Sequence, residues 1–119
     1  MNSIVLPWLF ILHFIADFLL QSRQIATKKS ENFRYLSEHC LILLFTFVLG
    51  IGWISNGVLL SLTNMIVHGI IDWNIWRVYK KGKSWDFEYW KDATFYTIIG
   101  LDQLLHGLTL IVLNKLFIQ

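Results

Sequence analysis

Asn64-Met-Ile-Val-His68-Gly-Ile-Ile-Asp72 lies inside an apolar run that extends from Val58 to Val78. Its three polar residues are four apart, and four residues of α-helix turn through roughly 400°, so all three fall on one narrow stripe. About 20 apolar residues suffice to cross a bilayer, and an ionisable group near its centre costs on the order of 2.5 to 3.5 kcal/mol. The run therefore predicts a membrane helix whose polar stripe has a function.

Three other apolar runs share this pattern of polar residues inside an apolar segment. The polar residues are His13, Asp17 and Gln21 in the first run, His39 near the start of the second, and Asp102, Gln103 and His106 in the fourth. All four histidines of the protein therefore lie in or at the edge of apolar segments, together with three of its eight acidic residues. This placement predicts that the function depends on the point where these residues meet.

The composition indicates an integral membrane protein. Hydrophobic residues make up 55% of the 119-residue chain and charged residues 15%, with a mean hydropathy of +0.54. Ordinary soluble domains are less apolar and more charged than this. We expect an all-α membrane protein, a bundle of four transmembrane helices in a single domain over residues 1–119. The helices are predicted at about 4–21, 36–54, 58–79 and 93–117.

The basic residues predict the orientation of the bundle. Nine of the ten Lys and Arg residues lie between the first and second runs, or at the end of the third run and before the fourth. By the positive-inside rule these two loops face the cytoplasm and both termini lie outside, with Lys115 as the one exception. We expect a multi-pass protein of a bacterial inner membrane. The net charge of +2 follows from this bias, so membrane lipid is the predicted partner and nucleic acid is not.

A cleaved signal peptide is the rival interpretation of the first run. No basic residue precedes that run, and His13 and Asp17 lie within it, so we interpret it as a membrane helix. Depth can then be counted at about 1.5 Å of rise per residue from each cytoplasmic helix end. The count places the His and Asp side chains in one layer of the cytoplasmic half, with His39 the shallowest.

Imidazole nitrogens and carboxylate oxygens four residues apart can bind one metal ion from a single helix face. The predicted ligands are His13, Asp17, His39, His68, Asp72, Asp102 and His106, for one or two divalent ions, with zinc as the expected metal. Asp17, Asp72 and Asp102 are the predicted catalytic residues, because a carboxylate that is not saturated by metal can act as a general base. Gln21, Asn64 and Gln103 are expected to hold the ligands by hydrogen bonds. The alternative is that each His–Asp pair only links helices, and Cys40 is interpreted as an apolar filler.

The pattern His13-x-x-x-Asp17-Phe-x-x-Gln21, His39, His68-x-x-x-Asp72 and Asp102-Gln103-x-x-His106 spans nearly the whole chain. It resembles a family of small bacterial and phage membrane proteins of unknown function. The resemblance implies a compact helical membrane protein but no established activity. A looser similarity is to bacterial inner-membrane proteins described as metal-dependent hydrolases, and it is analogy only.

The function predicted first is a membrane-embedded, metal-dependent hydrolase acting from the cytoplasmic leaflet on an amphiphilic substrate, a phospholipid or an isoprenoid phosphate. The alternatives are a protein that translocates protons or metal ions, and a structural or interaction protein of bacterial or phage origin. A b-type haem bundle would leave the carboxylates unexplained. Small bundles often form homodimers, and Gly50 and Gly52 could serve a contact within the bundle or between two copies.

Overall fold

The computed structural model describes residues 4–22, 25, 28–84 and 87–118. All regular secondary structure within these residues is helical, so the all-α prediction is confirmed. Helix α1 is Val5–Phe14 and continues as a π-helical turn over Ile15–Leu19. Helices α2, α3 and α4 are Phe33–Ile51, Gly57–Lys80 and Ala93–Phe117, and a short 3₁₀ turn at Tyr89–Lys91 precedes α4.

Capping residues determine where helices α2 and α4 begin, and the start of α2 differs from the one that hydropathy predicts. Helix α2 begins three residues before the predicted position, because Oδ1 of Asn32 accepts a hydrogen bond from the backbone N–H of Arg34 at 2.9 Å. Asp92 caps α4 in the same way through Thr94, at the predicted boundary. Helix α2 ends at Ile51 rather than 54, where the backbone N–H of Ile54 donates to the Ile51 carbonyl in a turn.

The first helix is shorter than predicted and changes its winding beside Asp17. The backbone N–H of Leu20 donates to the Ile15 carbonyl at 2.9 Å, five residues back, and the π-helical turn ends at Leu19 instead of 21. Such turns occur mostly as single bulges and often at functional sites. Asp17 is buried in this turn. The combined segment Val5–Leu19 falls short of the length that a full membrane crossing requires.

The four helices pack as a ring in which each contacts the next: α1 with α2, α2 with α3, α3 with α4, and α4 with α1. Helix α1 therefore lies diagonally opposite α3. The turn between α2 and α3 is tight and contains Asn56 with a φ of 65°, a left-handed conformation that Asn adopts more readily than most residues. At Gly50 a Cβ atom would lie 2.5 Å from a methyl carbon of Leu12, so this glycine serves the α1–α2 contact within the bundle.

The distribution of polar residues is that of a membrane protein. Helices α2, α3 and α4 are each long and apolar enough to cross a bilayer. Large apolar side chains are exposed on the outside, whereas polar side chains are as numerous as apolar ones among the buried described residues. We call the end with segments 20–32 and 81–92 the loop end, and the end with the α2–α3 turn the turn end.

An apolar core fills the bundle on the turn-end side of the histidines. Its fully or nearly buried members include Leu9, Leu43, Phe47, Leu60 and Leu110. On every helix these residues lie between the histidine of that helix and the turn end. The buried His and Asp residues are therefore separated from the turn end by packed apolar side chains, among which Ser61 and Asn114 are also buried.

Candidate metal centre

All seven predicted ligands are buried, and the bundle brings them together around its axis. The histidine rings form a continuous cluster: His68 and His106 stack with centroids 3.8 Å apart, and His39 lies 5.0 Å from His68. The ring of His13 approaches His68 and His106 at 5.4 and 5.2 Å. The four-residue spacing thus predicted which face of each helix points inward.

Four of the seven residues place one atom each at the corners of a tetrahedron. The atoms are Oδ1 of Asp17, Nε2 of His39, Nε2 of His68 and Oδ2 of Asp72, and all lie within 4.8 Å of one another. The two imidazole nitrogens are 2.9 Å apart. Nε2 of His39 lies 3.2 Å from the Asp17 oxygen and 3.1 Å from that of Asp72, and the corresponding distances from His68 are 3.5 and 3.0 Å.

These distances match the requirements of a tetrahedral metal ion. Five of the six distances among these atoms are 2.9–3.5 Å, and the sixth, between the Asp17 and Asp72 oxygens, is within 4.8 Å. A regular tetrahedron with edges of about 3.1 Å has its centre about 1.9 Å from each corner, close to the zinc–nitrogen and zinc–oxygen distances of roughly 2.0–2.2 Å. The ligand set of two imidazoles and two carboxylates comes from three elements: the π-helical turn, α2 and α3. Tetrahedral nitrogen and oxygen ligation is typical of zinc.

The two carboxylates are oriented by their outer oxygens. Oδ2 of Asp17 accepts a hydrogen bond from Nε2 of Gln103 at 3.1 Å, and Oδ1 of Asp72 lies 3.1 Å from Nε2 of His106. The inner oxygens, Oδ1 of Asp17 and Oδ2 of Asp72, accept no well-directed hydrogen bond from the described residues. A buried carboxylate oxygen without a donor is costly unless a cation faces it. In the structure the cation that faces both inner oxygens is the Lys29 ammonium, 3.1 Å from Oδ2 of Asp72 and 3.5 Å from Oδ1 of Asp17, and a metal ion would share these oxygens with it.

A second group of potential ligands adjoins the tetrahedron and shares Asp17 with it. It consists of Asp17, Asp102 and His106, whose ligand atoms also lie within 4.8 Å of one another. Nε2 of His106 is 3.1 Å from both Oδ1 of Asp102 and Oδ1 of Asp72. Because Asp17 and Asp72 each present a second oxygen on this side, both could bridge two ions.

His13 lies beside the two ligand groups, and the three predicted hydrogen-bonding residues differ in what they contact. Nε2 of His13 lies 3.0 Å from Oε1 of Gln103 and 3.6 Å from Oδ2 of Asp17, so His13 borders the cluster and belongs to neither ligand group. Gln103 also donates to Asp102 at 3.2 Å. Gln21 donates to the backbone carbonyl of Asp17. Asn64 is buried one turn beyond His68, and no described residue accepts a hydrogen bond from its Nδ2 atom.

Lys29 is the member of the cluster that sequence reasoning missed. It was counted among the loop lysines that orient the protein, but it is 6% exposed and its Nζ lies 3.1 Å from Oδ2 of Asp72 and 3.5 Å from Oδ1 of Asp17. Oε1 of Gln21 accepts a hydrogen bond from the same nitrogen at 3.1 Å. Burial alone would lower the pKa of Lys29, but the nearby carboxylates, with Asp72 foremost, raise it above its ordinary value.

The charge balance favours a further cation. Asp17, Asp72 and Asp102 contribute three negative charges to a buried region, and Lys29 offsets one of them. Buried carboxylates are normally paired with opposite charge or bound to metal. The remaining two charges equal those of one divalent ion. Protonation of two histidines would neutralise the cluster equally well, so the charge count supports metal binding only together with the tetrahedral geometry.

A cavity of about 230 Å³ connects the cluster with the loop end. Its polar floor includes Asp17, Asp102, Gln103 and Lys29. The walls are mostly apolar and aromatic, and the lining residues there are Phe18, Trp76, Tyr89, Phe95 and Ile99, with Gln21 and Lys80 beside them. A molecule that enters from the loop end could reach the carboxylates without crossing the apolar core.

These features define a class: an all-helical protein with candidate membrane spans and a buried His/Asp cluster that could hold a metal ion. The chain belongs to the family described as "protein of unknown function (DUF3307)", which matches residues 5–119. The expectation of a family of unknown function is thereby confirmed. No curated protein and no solved structure matches the chain. Its function must therefore be argued from the site itself.

Proposed function

We propose that this protein is a membrane-embedded, metal-dependent hydrolase that acts on an amphiphilic substrate, a phospholipid or an isoprenoid phosphate. The observation that carries the proposal is the tetrahedron of two imidazole nitrogens and two carboxylate oxygens beside a cavity that opens toward the loop end. A site that only links helices would not need two carboxylate oxygens and two imidazole nitrogens directed at a common point.

The residues divide between metal binding and proton transfer. Asp17, His39, His68 and Asp72 would hold a zinc ion. Because four protein ligands fill a tetrahedral site, the ion would act as a Lewis acid on water or substrate by expanding to five ligands or by releasing one carboxylate. Asp102 lines the cavity and lies outside the tetrahedron, so its carboxylate is the best placed general base. His106, 3.1 Å from Oδ1 of Asp102, would accept or return the proton. With two ions, His106 and Asp102 would become ligands of the second.

Transport is the weaker candidate because the buried ionisable groups lie on one side of the bundle, and the buried polar residues toward the turn end, among those described, are Ser61, Asn64 and Asn114. A path for protons or metal ions needs polar or hydrated groups through the full membrane thickness. Here Leu9, Phe47, Leu60 and Leu110 fill the bundle between the cluster and the turn end. One-sided access instead suits a substrate that already resides in the leaflet at the loop end.

The membrane arrangement is part of the proposal. The basic loops favour a cytoplasmic loop end and termini outside, in a bacterial inner membrane. Helix α1 with its π-helical turn would cross as the fourth span, and local thinning of the bilayer could accommodate its short length. Its packing against both α2 and α4 supports a position within the same layer.

The proposal can be tested by hydrolysis with purified protein in mild detergent, with zinc and either a phospholipid or farnesyl phosphate as substrate. We expect release of the phosphate group or headgroup by the wild type, and loss of at least about 100-fold in rate for Asp102→Asn if its carboxylate is the base. Glu38→Gln is the matched control, since Glu38 is half exposed and lies outside the cluster. If the zinc-loaded wild type hydrolyses neither substrate, the proposal is refuted.

A further inference from the structure

The polar stripe of α3 continues beyond the cluster toward the loop end. After His68 and Asp72, the next residues at four-residue spacing are Trp76 and Lys80, and both line the cavity. Each step corresponds to about 6 Å along the helix. The cavity wall formed by α3 therefore includes the Trp76 indole and the Lys80 ammonium group, in that order from the floor toward the loop end.

Trp76 has a hydrogen-bond donor without an acceptor. Its Nε1 atom is buried, and no described residue accepts a hydrogen bond from it. Buried tryptophan N–H groups usually have a partner, and an unpaired buried donor costs about 1–3 kcal/mol. Trp76 lines the cavity that leads to the candidate metal centre. The N–H is covered in the structure, so a ligand oxygen in this cavity would satisfy that donor after a small rotation of the indole.

The charges of the cavity favour an anionic ligand once a divalent ion is bound. The lining contains two carboxylates, those of Asp17 and Asp102, and two lysines, Lys29 and Lys80. With Asp72 counted among its ligands, a bound divalent ion would leave these groups with one net positive charge, that of Lys80. Lys80 forms an ion pair with Glu31 at 3.4 Å, in which the Lys80 side chain is 15% exposed and the Glu31 side chain 54%. Because Glu31 is open to solvent, a bound anion could replace it as the partner of Lys80.

The size and walls of the cavity indicate what carries the anion. Its volume of about 230 Å³ equals that of seven or eight water molecules at roughly 30 Å³ each, enough for a phosphate group but not for a lipid chain. The wall at Phe18 is continuous with the outside, because Phe18 is 51% exposed on the apolar surface of the bundle. An attached apolar chain could therefore leave the cavity past Phe18 and extend into the surrounding lipid.

We infer that this cavity binds the phosphate group of a phosphate ester of an apolar alcohol, with Trp76 as the hydrogen-bond donor and Lys80 as the countercharge. The inference rests on the proposed function, because it names the substrate class of the same site. Trp76 is a specificity-determining residue in this account. Its N–H forms a stronger hydrogen bond with a charged phosphate oxygen than with the hydroxyl of the free alcohol, and the charge of Lys80 adds to this preference.

Binding of non-hydrolysable probes to zinc-loaded protein in an uncharged detergent tests this inference. The probes are dodecylphosphonate, dodecanol, which has the chain without the anion, and inorganic phosphate, which has the anion without the chain. We expect dodecylphosphonate to bind at least tenfold more tightly than either of the others. Trp76→Phe keeps an aromatic ring and removes the N–H, and should weaken dodecylphosphonate binding about tenfold or more. Trp73→Phe is the matched control and should bind as the wild type does.

Zinc content and thermal unfolding are measured for every variant, and Lys80→Gln provides a second test if Trp76→Phe does not fold. Equal binding by wild type and Trp76→Phe at equal zinc content, or equal binding of dodecanol and dodecylphosphonate, would overturn the inference. If the wild type hydrolyses nothing yet binds dodecylphosphonate in a Trp76-dependent way, the binding site stands and the hydrolase proposal fails. If the wild type hydrolyses a substrate but dodecylphosphonate binding does not depend on Trp76, the hydrolase proposal stands and the inference about the binding site fails.

Discussion

Lys29→Met provides the most informative perturbation of the cluster, because it removes a buried charge and keeps a side chain of similar length. In the wild type the Lys29 ammonium lies 3.1 Å from Asp72 and 3.5 Å from Asp17. Removing one partner of a buried ion pair typically costs about 3–5 kcal/mol. For a chain of this length that corresponds to a fall in Tm of roughly 10–25 °C. We expect this fall in metal-free protein.

Zinc should reduce the damage, because a divalent ion faces the same carboxylate oxygens as Lys29. If zinc recovers at least about 1.4 kcal/mol of the lost stability, the thermodynamic cycle requires the variant to bind zinc at least tenfold more tightly than the wild type. The prediction thus links two independent measurements, a difference in unfolding and a difference in affinity.

The assay is thermal unfolding in detergent followed by tryptophan fluorescence, with chelator or with zinc, together with a zinc titration. Lys28→Met is the matched control: it removes the same charge from an exposed neighbour and should change neither quantity appreciably. A Lys29→Met variant with the same Tm deficit in chelator and in zinc, and with unchanged zinc affinity, would refute the electrostatic link between Lys29 and the ligands.

Three further predictions test other parts of the account. Asp72→Asn should lose bound zinc and keep its helical content, because the amide has the shape of the carboxylate but is a much weaker ligand; zinc retention by a folded variant would make Asp72 a structural residue. Reporter fusions at Lys28 and Lys81 should report the cytoplasm, and a periplasmic signal from either would reject the topology. Gly50→Val should lower the free energy of unfolding by about 1–3 kcal/mol, measured by thermal unfolding, since its side chain would clash with Leu12. An unchanged Tm would contradict that packing.

The inward face of each helix could be predicted from the sequence, but the rotation of one helix against another could not. His13 and His39 were both predicted ligands from their surroundings, yet His39 is at a corner of the tetrahedron and His13 is beside it. The depth count placed His39 as the shallowest group because α2 was expected to begin at residue 36. The Asn32 cap extends α2 by three residues, which places His39 about 4.5 Å deeper from the helix start and nearer to the other ligands.

Lys29 and the π-helical turn are two features of the site that no local sequence pattern predicts. Lys28 and Lys29 are adjacent in a polar loop, and no periodicity distinguishes the exposed one from the buried one. The only available signal was indirect: three buried carboxylates require positive charge from somewhere. Asp17 in the π-helical turn accepts a hydrogen bond from Gln103 of α4, and no local pattern contains this contact between residues 86 positions apart.

X-ray absorption at the zinc edge, on wild-type protein reconstituted with zinc in mild detergent, tests the central claim most directly. The account predicts stoichiometric zinc with four nitrogen or oxygen ligands at roughly 2.0–2.2 Å, including the scattering of two imidazoles from His39 and His68. Failure to retain stoichiometric zinc, or a six-ligand shell without imidazole scattering, would contradict the tetrahedral centre and with it the hydrolase proposal.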